Sequence, residues 1–522
     1  MLIPLGVTIY FDYFADHTLY PQSTASLSFV FTLVLTALLG LIFYGIGRKG
    51  SGQLFRKEGL LVVVLIWIFT PAIASLPFLF SGTVENPLIA YFEMVSGLTT
   101  TGATAFDAKQ YNEVGVEVPI RTIVPGIVST IYEHFGTIKP VATHKGIEAI
   151  NMGLLFWRSF IQWLGGGGVM VLFVALLPAI GGGGKILFTS EMTGPLKDPL
   201  TPRVRETAIR LWKIYAGLTF LEILFLIATN DTMKLFDAIT ISFSTISTGG
   251  FSIKNTSIGF YENANTEWVV MFFMVLGAIN FSLYYSMVKG RFYRLYDWEL
   301  LLFILSILGS CALGSWLLLG QPKILLTGDP HENYFFGDAI RYGFFQIVSA
   351  HTTTGFVTSN FELWPFITQG LMLIVMFFGG MSGSTAAGIK IIRLIILFRF
   401  AQYKVESIYK PDAVRTLRIA GKEIDHSLSS MVLCFFTIII SFSVLGVFLF
   451  VLNGVDPETS LGMVASLVNN VGIAFRAAGP VESFAFLSDF GLVLSSILMI
   501  LGRLEFFVVL AIFIPDFWKK NT

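Results

Sequence analysis

The chain has 522 residues, 54% of them hydrophobic and 13% charged, with 34 basic and 34 acidic side chains that leave no net charge. Runs of about 20 apolar residues are long enough to cross a bilayer as helices, which excludes a water-soluble globular domain and makes membrane lipid the surrounding partner. Cys311 and Cys434 both fall in apolar runs and imply no disulfide framework, and the first 20 residues lack the basic region of a cleavable signal peptide.

Taken in order, residues 1–11 are apolar and too short to span, so they lie at the interface or belong to a longer helix. Residues 27–47 form the first span, ending in Arg48 and Lys49, and 60–80 the second, which Pro71 and Pro77 bend or end. A short re-entrant helix is expected over 86–99. Residues 107–151 are a long polar insertion, and 154–180 a closing span. That span contains Gly165–Gly168, which cost helix stability and let another backbone approach closely. A connector over 181–213, with Pro195, Pro199 and Pro202, leads to a second unit: span 211–229, short helix 233–245, span 268–288. The third is 298–319, 335–350 and 366–400; the fourth is 428–452, 457–468 and 490–514. The chain therefore reads as an all-α polytopic membrane protein. N-terminal helices over 1–58 precede four span–short helix–loop–span repeats at 59–180, 205–289, 297–400 and 427–516.

Each short helix runs into a related loop. Residues 97–105 read Gly-Leu-Thr-Thr-Thr-Gly-Ala-Thr-Ala, and 244–252, 350–358 and 467–475 repeat the pattern in degenerate form. Aligning them puts Gly102, Gly249, Gly355 and Gly472 in register. The connectors 48–58, 185–213, 289–294, 390–422 and 519–520 hold 23 of the 34 Lys and Arg residues, so they face the cytoplasm and the four loops lie toward the outside. The residues around the loops are acidic: Asp107, Glu113, Glu117, Glu262, Glu267, Asp329, Glu332, Asp456, Glu458 and Glu482. An acidic vestibule concentrates cations.

Non-helical backbone at membrane depth persists only where it is buried in protein or lines a wet cavity. Four such loops around one axis aim carbonyl oxygens into a common pore, where they replace the hydration shell of a cation. The candidate ligands are Thr100, Thr101, Gly102 and Ala103; Ser247, Thr248, Gly249 and Gly250; Thr353, Thr354, Gly355 and Phe356; and Asn470, Val471, Gly472 and Ile473. Oxygen ligands with no carboxylate among them suit a weakly held monovalent ion rather than calcium. The competing reading is four re-entrant turns with ordinary Gly and Thr. In the fourth loop Asn469-Asn470-Val471 replaces the Thr run, so an asymmetric ring is expected.

These residues resemble the Trk/Ktr/HKT superfamily of potassium transporters, and within it the bacterial TrkH type. The resemblance rests on 96–104, Gln162-Trp-Leu-Gly-Gly166, 191–197, 379–390 and Gly502-Arg-Leu-Glu505, and covers nearly the whole chain. It implies four M1–pore helix–M2 repeats, a homodimer with one pore per protomer, and inward carriage of K+ across the bacterial inner membrane. It also implies a cytoplasmic ring of nucleotide-binding regulatory subunits of the TrkA kind, and no organic cofactor in this chain. Glycine at all four loop positions matches the potassium-selective pattern, whereas a serine at the first goes with sodium; Gly102 stands there. The short first helix, the long insertion 107–151 and Gly472-Ile-Ala-Phe depart from the family pattern.

Gly379, Gly380, Gly383 and Gly388, with Ser382, Ser384 and Thr385, do not make a good continuous helix. The resemblance implies a broken helix whose loop blocks the pore; the alternative is a glycine-lined helix contact. Lys390 and Arg393 follow it, and Arg503 lies inside the last span. Arg503 either places positive charge in the pore or pairs with Glu505 or Glu93. Glu93 is expected to fix a short helix, and His351 to pack behind the third loop. No Walker loop, dinucleotide fingerprint or His/Cys metal spacing occurs. The basic stretch 390–422 is a membrane anchor or docking surface, not a nucleic-acid site. A sodium-permeable relative is the alternative transporter. A membrane enzyme would need a catalytic cluster that is missing, and an alternating-access symporter would need inverted repeats, whereas these are parallel.

Overall fold

A computed structural model describes residues 1–15, 24–48, 56–106, 110–111, 117–118, 146–176, 204–324, 326, 330–409, 417–419, 422–424 and 426–519. Most of the insertion 107–151, the connector with its 191–197 motif, and the basic residues Lys49, Lys410, Arg415 and Lys520 lie outside them.

Two helices, α1 (Leu2–Tyr13) and α2 (Ser26–Gly47), come first. The first repeat is α3 (Arg56–Ala74), α4 (Leu76–Phe80), α5 (Pro87–Leu98) and α6 (Met152–Leu176). The second is α7 (Val204–Thr229), α8 (Leu235–Ile246), α9 (Ala264–Gly277) and α10 (Phe281–Val288). The third is α11 (Trp298–Leu318), α12 (Phe336–His351), α13 (Phe366–Met376) and α14 (Ile391–Tyr409). The fourth is α15 (His426–Leu452), α16 (Pro457–Val468), α17 (Asp489–Arg503) and α18 (Phe507–Ile512), followed by α19 (Pro515–Trp518). Five described helices are long and apolar enough to cross a membrane, six if the bent pair α9–α10 counts as one. The only strands among the described residues are three antiparallel pairs, so the fold is all-α as the sequence implies.

The short helices α5, α8, α12 and α16 form the inner layer. Each packs against the first helix of its own repeat and against the closing helix of the repeat before it. Thus α5 lies on α3 and α17, α8 on α7 and α6, α12 on α11 and α9, and α16 on α15 and α13. The contacts run around a ring and return to the start. Their N-termini are set by local chemistry. Asn86 accepts the Leu88 N–H at 2.9 Å with Pro87 in the first turn, and Asp456 accepts the Thr459 N–H at 2.9 Å.

Helix α1 packs on α6, where Gly153 faces Thr8 with no room for a Cβ. Buried Asp12 accepts the N–H groups of Ala25 and Ser26 at 2.9 and 2.8 Å and the Asn151 amide at 2.9 Å, which fixes the start of α2. Helix α6 runs unbroken through Gly165–Gly168, and the first three of those glycines are used for contact. Gly165 abuts the Leu98 carbonyl, Gly166 the Tyr215 hydroxyl, and Gly167 the Trp212 ring.

The other closing helices differ from the continuous spans expected over 268–288 and 490–514. Helices α9 and α10 meet at 93°. Asn280 restarts the helix by accepting the Ser282 N–H at 2.8 Å. The segment between α13 and α14 supplies the missing partners. Met381 and Thr385 donate backbone N–H groups to Ala278 and Gly277 at 2.9 and 3.2 Å, and Gly383 accepts from Phe281 at 3.1 Å. Helix α17 stops at Arg503, with Glu505 and Phe506 at φ 57° and 58° before α18. The third closing span breaks over 377–390, as its glycines imply.

Candidate functional site

The four inner helices end in one pattern. A serine, Ser96, Ser244, Ser349 or Ser466, accepts through its carbonyl the N–H of Thr101, Gly249, Thr354 or Val471, at 2.8 to 2.9 Å. The residue before that donor (Thr100, Thr248, Thr353, Asn470) has φ between 52° and 55°. The residue after it (Gly102, Gly250, Gly355, Gly472) has φ between 75° and 92°. This corrects the alignment read from the sequence: Gly250, not Gly249, is in register with Gly102, Gly355 and Gly472. The serine stands six residues before the glycine in every copy, a signal that matching Thr-Gly pairs passes over.

The glycines interlock. A Cβ on Gly102 would collide with the Gly249 carbonyl, on Gly250 with Thr354 O, on Gly355 with Val471 O, and on Gly472 with Thr101 O. Each loop thus lies against the next, and the fourth closes on the first. The hydroxyl and amide residues Thr100, Thr101, Ser247, Thr248, Thr353, Thr354 and Asn470 are all fully buried, as are Ala103, Phe356 and Val471.

The wall behind the loops is polar and hydrogen-bonded to them. Glu93 on α5 accepts from the Thr104 hydroxyl at 2.5 Å and the Ala105 N–H at 2.6 Å, and pairs with Arg158 of α6 at 3.0 Å. Arg158 donates to Ser252 O at 2.9 Å and lies 3.6 Å from the Phe251 ring centre. Gln162 donates to Gly249 O at 2.7 Å and accepts the Phe251 N–H at 3.1 Å. In the third repeat Gln346 accepts the Thr358 N–H and Ser349 donates to Phe356 O. Glu93 thus does what its sequence position implies. Arg158 was not singled out, although a basic residue inside an apolar span is itself a flag. His351 packs as expected, 3.0 Å from Ser306 Oγ and between the rings of Phe303 and Phe378.

The acidic surround is less negative than its composition. Glu267 is bound by Arg341 through two bonds of 2.6 and 2.7 Å. Arg476, just past the fourth loop, pairs with Glu458 at 2.7 Å and Glu362 at 3.3 Å.

Beneath the loops lies segment 377–390. Gly379 N–H donates to Ile389 O at 2.6 Å and Ile389 N–H to Phe377 O at 3.2 Å, so its two ends are tied together. Gly383 and Gly388 have φ of 73° and 69°. Gly379 packs on the Ala387 carbonyl, Gly380 on Ala386 and on the Ala278 carbonyl at the end of α9, and Gly383 on Asn280, so these glycines serve both the loop's own fold and its close approach to the α9–α10 bend. The Ser384 hydroxyl donates to Met381 O at 2.6 Å. The Ala387 N–H donates to Thr353 Oγ1 at 2.9 Å, and Thr385 Oγ1 is 2.9 Å from both Ile246 O and Gly277 O. Buried Lys390 donates to Ala386 O at 2.7 Å. Arg503 donates to Thr385 O at 3.0 Å. The structural pairs considered for Arg503 are not formed, because Glu93 is held by Arg158 and Glu505 by Arg393 at 2.5 Å. Lys390, Asn469, Arg503 and Glu505 line one small cavity with Gly388, about 20 Å³ in volume.

The TrkH family model, a cation transport protein, matches residues 29–520. The chain is 31% identical over 513 residues to the Trk system potassium uptake protein TrkH of Escherichia coli (strain K12), covering 95% of this chain and 93% of the relative. It is 32% identical over 526 residues to the Trk system potassium uptake protein TrkG of the same organism, covering 100% and 95%. The crystal structure of the potassium transporter TrkH from Vibrio parahaemolyticus aligns with a TM-score of 0.78 over 99% of this chain and 98% of that one, at 29% identity.

Proposed function

The chain belongs to the TrkH family of cation transport proteins, and from that premise we propose that it takes up potassium through the ring of four loops. It is a transporter rather than an enzyme, and a multi-pass protein of the bacterial inner membrane. The observation that carries the proposal is the cyclic contact of Gly102, Gly250, Gly355 and Gly472 with the backbone carbonyl of the next loop. Alternating φ signs along each loop turn consecutive peptide planes the same way, so that carbonyl dipoles face one axis. A desolvated monovalent cation there exchanges water oxygens for these carbonyls and for the threonine hydroxyls. Glu93, Arg158 and Gln162 hold the loops from behind, so the ring does not relax around a smaller ion.

In this proposal 377–390 is the gate. It sits directly under Thr353, and Lys390 and Arg503 bring positive charge to the cavity below. Regulation by a cytoplasmic nucleotide-binding subunit and assembly as a homodimer complete the proposal, supported by the sequence resemblance. Rubidium uptake into proteoliposomes holding the purified chain tests it, with potassium or sodium as competitor. Block by potassium and not by sodium is expected. Equal block by both overturns potassium selectivity and supports a sodium-permeable pore, for which the divergent Asn470-Val471 pair is the structural ground.

A further inference from the structure

The four loops meet at four seams, and one differs. At each seam the glycine of one loop lies against the carbonyl of the residue before the glycine of the next. Between the first and second loops this sets Gly102 against the carbonyl of Gly249, a residue with no side chain to bond across the seam. Between the second and third, the Thr248 hydroxyl turns to its own Ser247 carbonyl at 2.7 Å. Between the third and fourth, Val471 has no polar atom to offer, and Thr353 takes the Ala387 N–H. Between the fourth and first, Asn470 Nδ2 donates to Thr101 Oγ1 at 2.8 Å and to Met499 O of α17 at 2.9 Å.

The bonds beyond Thr101 have a fixed direction. The Thr99 hydroxyl donates to Val95 O at 2.7 Å, so its proton is used. Thr101 Oγ1, 2.7 Å away, therefore donates to Thr99 and accepts from Asn470. A single chain of bonds runs from α17 through Asn470 and Thr101 into α5. The third loop has the same inner pair, Thr354 with Thr352 and Val348 O, but no side chain among the described residues donates into it. The first three seams join repeats that are consecutive in the chain; the fourth joins its two ends. Asparagine suits the position twice over. It tolerates φ of 52°, and its amide has two protons where threonine has one.

We propose that Asn470 is a positioning residue that closes the ring: its side chain holds Thr101, and thereby the first loop, at the spacing that selects the ion, and is not itself an ion ligand. This rests on the four loops being the selectivity filter. The test uses the full chain in proteoliposomes and reads the ratio of potassium to sodium competition against rubidium uptake. Asn470→Asp keeps the size and loses both donors; Thr101→Val removes the acceptor. Each is expected to lower the ratio about two- to tenfold, the range of one hydrogen bond. The double variant is expected to fall no further, and Thr101→Ser, which keeps the oxygen, to recover most of the loss of Thr101→Val. If Asn470→Asp does not fold, the Thr101→Val and Thr101→Ser pair decides alone. Effects that multiply in the double variant, or an unchanged ratio in both single variants, overturn the proposal. Gly355→Ser separates the two levels: if it shifts the ratio while Asn470→Asp and Thr101→Val do not, only this inference fails, and if it too is silent, the filter reading fails.

Discussion

Gly355 holds φ at 85° with the Val471 carbonyl where a Cβ would sit, so any side chain there is both strained and in collision with backbone. Gly355→Ser is expected to cut the potassium-over-sodium ratio several-fold in rubidium competition, and an unchanged ratio would remove Gly355 from the filter. Glu93 makes a different kind of contribution. It is the counter-ion of fully buried Arg158 and holds two groups of the first loop. Glu93→Gln leaves the guanidinium without a carboxylate, at a cost of about 3–5 kcal/mol. A clear drop in the thermal unfolding midpoint in detergent is the expected result, and an unchanged midpoint would show that Arg158 finds another partner. The glycines were legible in the sequence because repetition exposed them. The register of the second loop was missed: Gly249 and Gly250 are adjacent, and the signal that separates them is the serine six residues earlier, whose carbonyl takes the Gly249 N–H and leaves Gly250 at positive φ.

Among the elements, α16 depends on its first turn. Asp456 accepts from Thr459, which holds its carboxyl below the ordinary carboxylate value of 3.8. A lowered folded pKa means that the cap is fully stabilising above the unfolded value and is lost as pH falls through the folded one. Asp456→Asn caps without titrating, so the stability difference between wild type and this variant is expected to shrink below about pH 4. A difference that stays constant there would dismiss the ionised cap. The segment under the four loops is testable by removal. Deleting 379–383 is expected to raise basal rubidium flux, whereas loss of flux in a folded deletion would assign the segment a scaffolding role. Its break was legible from four glycines in ten residues. The breaks after Gly277 and Arg503 were not, because Ala278-Ile279-Asn280 and Leu504-Glu505-Phe506 keep a span-like composition. What ends α9 is hydrogen bonding from Met381 and Thr385, a hundred residues away, and periodicity carries no trace of that.

Across the whole molecule, repeat order and basic-residue placement were readable because both are statements about composition along the chain. The arrangement of the repeats around one axis was read from their fourfold recurrence, but the helix pairs that close the ring were not, since that needs α5 to meet α17 across nearly the full sequence. The contact is reinforced at the surface, where the Asn86 amide donates to Asp489 at 2.8 Å. Sidedness gives a further prediction. With Cys311 and Cys434 replaced by serine, Asn265→Cys is expected to react with a membrane-impermeant maleimide on intact cells. Lys289→Cys, beyond the bend of α10, is expected to react only after the membrane is opened; the reverse pattern would invert the topology.

The bend between α9 and α10 is stabilised by the same segment that underlies the four loops. Withdrawing that segment strips Gly277, Ala278 and Phe281 of backbone partners in a region where lipid offers none, at about 1–3 kcal/mol for each group left bare. Only water is available to replace them. If this segment is the gate proposed above, unblocking the passage and hydrating it are therefore one event.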